Sequence, residues 1–138
     1  MRRVFVDTGA FIALTRTSER EYPAATEALQ ALVQRGAALV STNYVFAETY
    51  AGLLSRAGRW MAFGWGADMR AGTGIEFIRV DQDIEDAAWA ILEAHEDKNW
   101  SYVDAVSFAL MERDGISTAF AFDTHFVQRG LAVVPAIE

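Results

Sequence analysis

The chain has 138 residues, 52% of them hydrophobic and 22% charged, with a formal net charge of -7. That length suits one domain that buries roughly 70% of its unfolded surface without staples, and the composition excludes a disordered chain. The absence of cysteine and the presence of only two histidines exclude a disulfide framework, a zinc–thiolate site, a thiol nucleophile and a multi-histidine metal centre.

Arg2 and Arg3 precede an apolar stretch from Val4 to Leu14, but Asp7 interrupts it and no small-residue cleavage pattern closes it. It is therefore not read as a signal peptide. No apolar run reaches the ~18 residues of a membrane span, and a soluble, cytoplasmic chain is expected. Val4–Val6 reads as a short strand ending at Asp7. Ala24 to Arg35 has helical apolar spacing and stops at Gly36. Ala38–Ser41 is a second strand, and Asn43 is placed to cap a helix running to about Arg56. Gly58 to Gly74 predicts another helix with loose ends. Ile75–Val80 is a third strand, and Asp83 is placed to cap a helix running to about Asp97. Ser101 opens a further helix that ends at Gly115. Ala119–Phe122 and Leu131–Val134 are the fourth and fifth strands. Strands alternating with helices predict a three-layer α/β/α fold with a mostly parallel sheet of about five strands. In such sheets ligands bind beyond the carboxyl ends of the strands, where strand order reverses. If the first three strands wind outward in one direction, the fourth returns beside the first.

Four carboxylates stand out on that basis. Asp7 directly follows the first strand and Asp123 the fourth, so the two would flank one crevice. Helix capping explains each of them singly. Glu48 lies on a helix that is apolar almost all round, with Tyr44, Val45, Ala51 and Gly52 as its helical neighbours. Nothing local neutralises it, so its partner comes from elsewhere in the fold or it sits at a solvated edge. Asp104 stands three residues after Ser101, the spacing of a capping box. His95 sits in a charged run, and His125 follows Asp123 by two residues; neither is given a catalytic role. If the four acids converge, any two of them ~5 Å apart repel by about 3 kcal/mol at an effective dielectric of ~20. A hard divalent cation relieves this, and an oxygen-only site suits Mg²⁺ or Mn²⁺. The chemistry expected of such a site is phosphodiester hydrolysis.

The segments that carry these acids also carry a resemblance. Val4-Phe-Val-Asp-Thr-Gly-Ala-Phe-Ile-Ala-Leu14, Thr42-Asn-Tyr-Val-Phe-Ala-Glu-Thr49, the stretch from Trp100 through Asp104 to Arg113, and Ala119-Phe-Ala-Phe-Asp-Thr-His-Phe126 are similar to the four successive motifs of PIN-domain ribonucleases. Size and motif order most resemble the VapC-type toxins of toxin–antitoxin pairs. The resemblance spans nearly the whole chain, read as one PIN-like domain over 1–138 in which 58–74 is a variable partner or substrate region. It implies an endoribonuclease toxin whose acidic metal site is Asp7, Glu48, Asp104 and Asp123. It also implies that Thr8 positions a water, that a cognate antitoxin protein inhibits the enzyme, and that the chain forms a homodimer. One position departs from the pattern: Ala121 stands where many relatives carry threonine or serine.

Other readings meet obstacles in the same residues. A haloacid-dehalogenase-like, metal-dependent phosphatase needs a second acid two residues after the first, where this chain has Gly9. A response-regulator receiver wants an acidic pair at Asp7 and a late lysine, yet Lys98 is the sole lysine among eleven arginines. A non-catalytic α/β binding module stays open. A net charge of -7 gives no whole-surface basic field, so RNA contact would rely on a local patch, with Arg16, Arg20, Arg56 and Arg59 as candidates. Met61, Trp65 and Met69 recur every four residues and either pack into the core or line a partner groove.

Overall fold

The computed structural model describes residues 2–136. Its elements are β1 (Arg3–Val6), α1 (Thr8–Ala13), α2 (Tyr22–Gln34), β2 (Ala38–Thr42), α3 (Asn43–Ala57), α4 (Arg59–Ala71) and β3 (Ile75–Ile78). They continue with α5 (Gln82–Ala94), α6 (Tyr102–Asp114), β4 (Thr118–Phe120), α7 (His125–Gln128) and β5 (Ala132–Val134). All five strands are parallel, in the order β3-β2-β1-β4-β5. The first three strands wind outward and the fourth returns to β1, so strand order reverses between β1 and β4, and Asp7 and Asp123 lie at that reversal.

Pairing of Phe5 with Ala119 and of Val6 with Phe120 puts alternate residues of β1 and β4 on the same face. On one face Phe5 meets Phe126, and Phe126 meets Phe108 edge-on at 5.1 Å. On the other, Phe11 of α1 stacks on Phe77 at 5.7 Å and meets Trp65 of α4 at 5.4 Å. Helices thus cover both faces. The core is aromatic and aliphatic, with Val4, Phe5, Val6, Phe108, Leu110, Phe120 and Phe126 all buried.

Two local readings are corrected. Thr42, and not Asn43, caps α3: its Oγ1 accepts the Val45 N–H, while Asn43 Oδ1 accepts the Val80 N–H and ties the end of β3 to the site. Asp81, and not Asp83, caps α5 through the Ile84 N–H. The glycine-punctuated stretch forms the expected helix, α4. Gly66 faces α3 there: a Cβ at that position would sit 3.4 Å from Phe46 and 3.6 Å from Tyr50, both ordinary contact distances. The box expected at Ser101 forms in full, with Ser101 Oγ accepting the Asp104 N–H and Asp104 accepting the Ser101 N–H.

Candidate active site

Asp7 extends the β1–β4 pairing by one bond, its N–H donating to Phe120 O at 3.0 Å. This holds its side chain at the strand reversal, where it is only 4% exposed. It precedes α1, yet its side chain makes no capping hydrogen bond, so capping alone does not account for it. Its Oδ1 and the neighbouring Thr8 Oγ1 are both buried without a partner among the described residues. Burial drives the Asp7 carboxyl well above its ordinary range, and the nearby charges of Asp123, Asp104 and Glu48 push it further. All three other predicted acids therefore act on Asp7.

Asp104 comes from the first turn of α6 and is buried. Its Oδ2 accepts the Ser101 N–H at 2.9 Å and faces His125 Nδ1 at 2.7 Å. Asp123 Oδ1 accepts the His125 N–H at 2.9 Å. Desolvation raises the Asp123 carboxyl above its ordinary value, and the Asp104 charge adds to this. One ligand atom each from Asp104, Asp123 and His125 lie within 4.8 Å of one another, a grouping that could hold a metal ion. Glu48 is half-buried on α3 and borders an open hollow with Asn43, Tyr44, Ala47 and Val103. It stands outside the tight three-residue group. His125 is the residue that sequence reasoning passed over; its spacing of two from Asp123 was the signal, but its partner Asp104 lies on another helix.

The candidate arginines divide. Arg16 and Arg56 both grip the buried Glu19, at 2.6 and 2.5 Å. Arg59 lies over the Phe63 ring at 4.9 Å. Arg20 is exposed beside Arg56 and Phe122. Of the proposed partner face, Trp65 is 9% exposed, and Met61 and Met69 pack against the core. All three also line a cavity of about 600 Å³ with Val6, Phe11 and Leu29. The exposed aromatics of α4 are instead Trp60, at 87%, and Phe63, at 54%.

A single acidic centre at the β1–β4 reversal, fed by four motifs in order, is matched by what the chain resembles. The PIN domain model matches residues 4–130. The chain belongs to the PIN-domain family. The PIN domain here is 32% identical over 131 residues to the 23S rRNA-specific endonuclease VapC20 of Mycobacterium tuberculosis, covering 95% of this chain and 97% of that protein. The crystal structure of that protein, described as a sarcin–ricin loop cleaving toxin, superposes with a TM-score of 0.84 over 94% of this chain and 96% of the other. A toxin–antitoxin complex from Klebsiella pneumoniae shares the fold, at TM-score 0.68 and 19% identity, with 98% of each chain covered. The VapC-type endoribonuclease expected from the motifs is thus supported by relatives across nearly the whole PIN domain. Among the described residues, no helix is long and apolar enough to cross a membrane.

Proposed function

We propose that this PIN domain is a metal-dependent endoribonuclease toxin that hydrolyses RNA phosphodiesters at Asp7, Glu48, Asp104 and Asp123. The carrying observation is that two adjacent buried oxygens, Asp7 Oδ1 and Thr8 Oγ1, have no partner among the described residues, in a place where burial and the charges of Asp123, Asp104 and Glu48 raise the Asp7 carboxyl. Buried polar atoms are normally satisfied, and gathered acids need a counter-charge. An all-oxygen donor set of this kind fits Mg²⁺ or Mn²⁺. Asp7, Asp104 and Asp123 would hold the cation, with Glu48 at its outer side. When bound, it supplies Lewis-acid polarisation of the phosphoryl oxygen and acidifies the attacking water. Thr8 orients that water through its unpaired hydroxyl. His125 and the Ser101 N–H fix the rotation of the Asp104 carboxylate, and the His125 N–H does the same for Asp123.

The substrate in this reading is 23S rRNA, as in the name of the mycobacterial relative, and the enzyme works in the cytoplasm. A cognate antitoxin inhibits it by laying an amphipathic segment along the apolar cavity beside α4. An arginine of that segment would compete with the cation for the carboxylates. Homodimerisation uses a different surface; Trp89 on α5, 59% exposed, is an apolar side chain available for it.

The test is cleavage of 23S rRNA with Mg²⁺ or Mn²⁺, against EDTA. A cation contributes several kcal/mol, so Asp7→Asn or Asp104→Asn lowers the rate at least ~100-fold while circular dichroism stays native. The products carry 5′-phosphate and 3′-hydroxyl ends. Full activity in EDTA, or in either variant, overturns the assignment.

A further inference from the structure

We infer that the pocket between α1, the 15–21 loop, the end of α3 and the turn after β4 is a nucleotide subsite, with Arg20 as its phosphate contact, that takes the RNA strand on one side of the scissile bond. The inference rests on the ribonuclease reading of the acidic centre. The pocket measures about 250 Å³ and is lined by Gly9, Ile12, Glu21, Arg20, Arg56 and Phe122, among others. Its floor adjoins the chemistry, because Gly9 follows Asp7 by two residues and Phe122 immediately precedes Asp123. A Cβ on Gly9 would stand 3.8 Å from the Phe122 Cβ, so the two residues lie side by side in the pocket wall, and the Phe122 side chain is half-buried. The volume lies below the ~300–1,000 Å³ of drug-sized sites and suits a single base. An aromatic floor under a base and a guanidinium on its phosphate are how single-stranded RNA is commonly held.

Charge gives the subsite its direction. Glu19 is already matched by Arg16 and Arg56. Arg20 has no ion-pair partner among the described residues, and the two arginines and two glutamates of the lining cancel, so the pocket is locally neutral with one free guanidinium on a chain of net charge -7. The opposite flank is acidic. There Tyr44, which borders the Glu48 hollow, hydrogen-bonds Glu85 of α5, whose start also carries Asp81, Asp83 and Asp86. A polyanion crossing the centre is repelled on that flank and drawn toward Arg20.

The experiment binds a fluorescein-labelled sarcin–ricin hairpin oligoribonucleotide to the Asp104→Asn protein, which leaves the RNA intact, over a series of NaCl concentrations. Adding Arg20→Ala lowers the slope of log Kd against log salt by about one, the loss of one phosphate contact. The exposed, distant Arg35→Ala leaves the slope unchanged. In the otherwise wild-type enzyme, Arg20→Ala raises KM about tenfold with kcat within about twofold. An unchanged slope and KM, or an equal loss in Arg35→Ala, overturns the subsite while the wild type still cleaves. If the wild type cleaves nothing with either cation, the ribonuclease reading itself fails.

Discussion

His125 Nδ1 lies 2.7 Å from Oδ2 of Asp104, the same oxygen that accepts the Ser101 N–H at 2.9 Å. Two donors on one oxygen lock the carboxylate's rotation and leave its second oxygen for a cation. With Asp104 ionised, Nδ1 is the donor, which also selects the tautomer of the ring. His125→Ala is expected to lower cleavage ~10–100-fold, the usual cost of removing a partner that orients a metal ligand. The Mg²⁺ concentration for half-maximal rate rises in the same variant. A changed RNA KM with an unchanged Mg²⁺ midpoint would show that His125 touches substrate instead.

Asp7 gives the chain a pH-dependent weakness. Its folded-state pKa is raised by burial first and then by neighbouring acids. The folded form therefore holds a proton that the unfolded chain has lost. Stability is full below the ordinary value of 3.8 and falls as pH rises toward the raised value. Asp7→Asn removes that loss. In EDTA at neutral pH the variant should melt roughly 3–5 °C above the parent, the shift that about 1 kcal/mol produces at this length. The gap closes in acid. Added Mg²⁺ stabilises the parent and not the variant. Asp123→Asn moves in the same direction but less, because that side chain is partly exposed. A lower melting point for both variants in EDTA would make these carboxylates structural partners.

Glu19 behaves in the opposite sense. Hydrogen bonding from Arg16, reinforced by Arg56, holds its carboxyl below the ordinary value. Its contribution is present above the ordinary value of 4.5 and is lost as pH falls through the lowered folded-state value. Glu19→Gln should cost about 1 kcal/mol at neutral pH, the modest size reflecting the water around Arg56. Urea unfolding at neutral pH and at pH ~3 checks this, with the difference shrinking in acid. An equal difference at both would assign the effect to packing.

Trp60 and Trp65 separate surface from core on one helix. Trp65→Ala should cost about 3–5 kcal/mol, since the ring packs against Phe11 and Phe46. Trp60→Ala should change stability by less than about 0.5 kcal/mol and weaken binding of a co-expressed antitoxin. Native binding by Trp60→Ala would move the partner surface off this face of α4.

The sheet was legible because its elements leave local traces, an apolar run or a helical period, and the four acids were singled out by a similar trace, a carboxylate breaking an apolar stretch or a helix start. The return of β4 to β1 also followed from the strand pattern. The caps at Thr42 and Asp81 were misplaced by one and two residues because adjacent cap-forming side chains compete, and tertiary contacts decide between them: Asn43 is taken by the Val80 N–H. His125 was passed over for the same reason, its partner being 21 residues away. The division of the arginines was equally out of sight, since Glu19 meets Arg56 across 37 residues.

The β1–β4 adjacency carries a consequence for how the protein is made. Asp7 and Glu48 are synthesised first, and the strand that completes the crevice, with the aspartate after it, follows about 70 residues after Glu48. A ribosome building this chain therefore carries two isolated acids and no assembled centre until β4 docks. If the proposed hydrolysis needs all four acids, it arises only once β4 is in place, and the nascent chain is inactive until then.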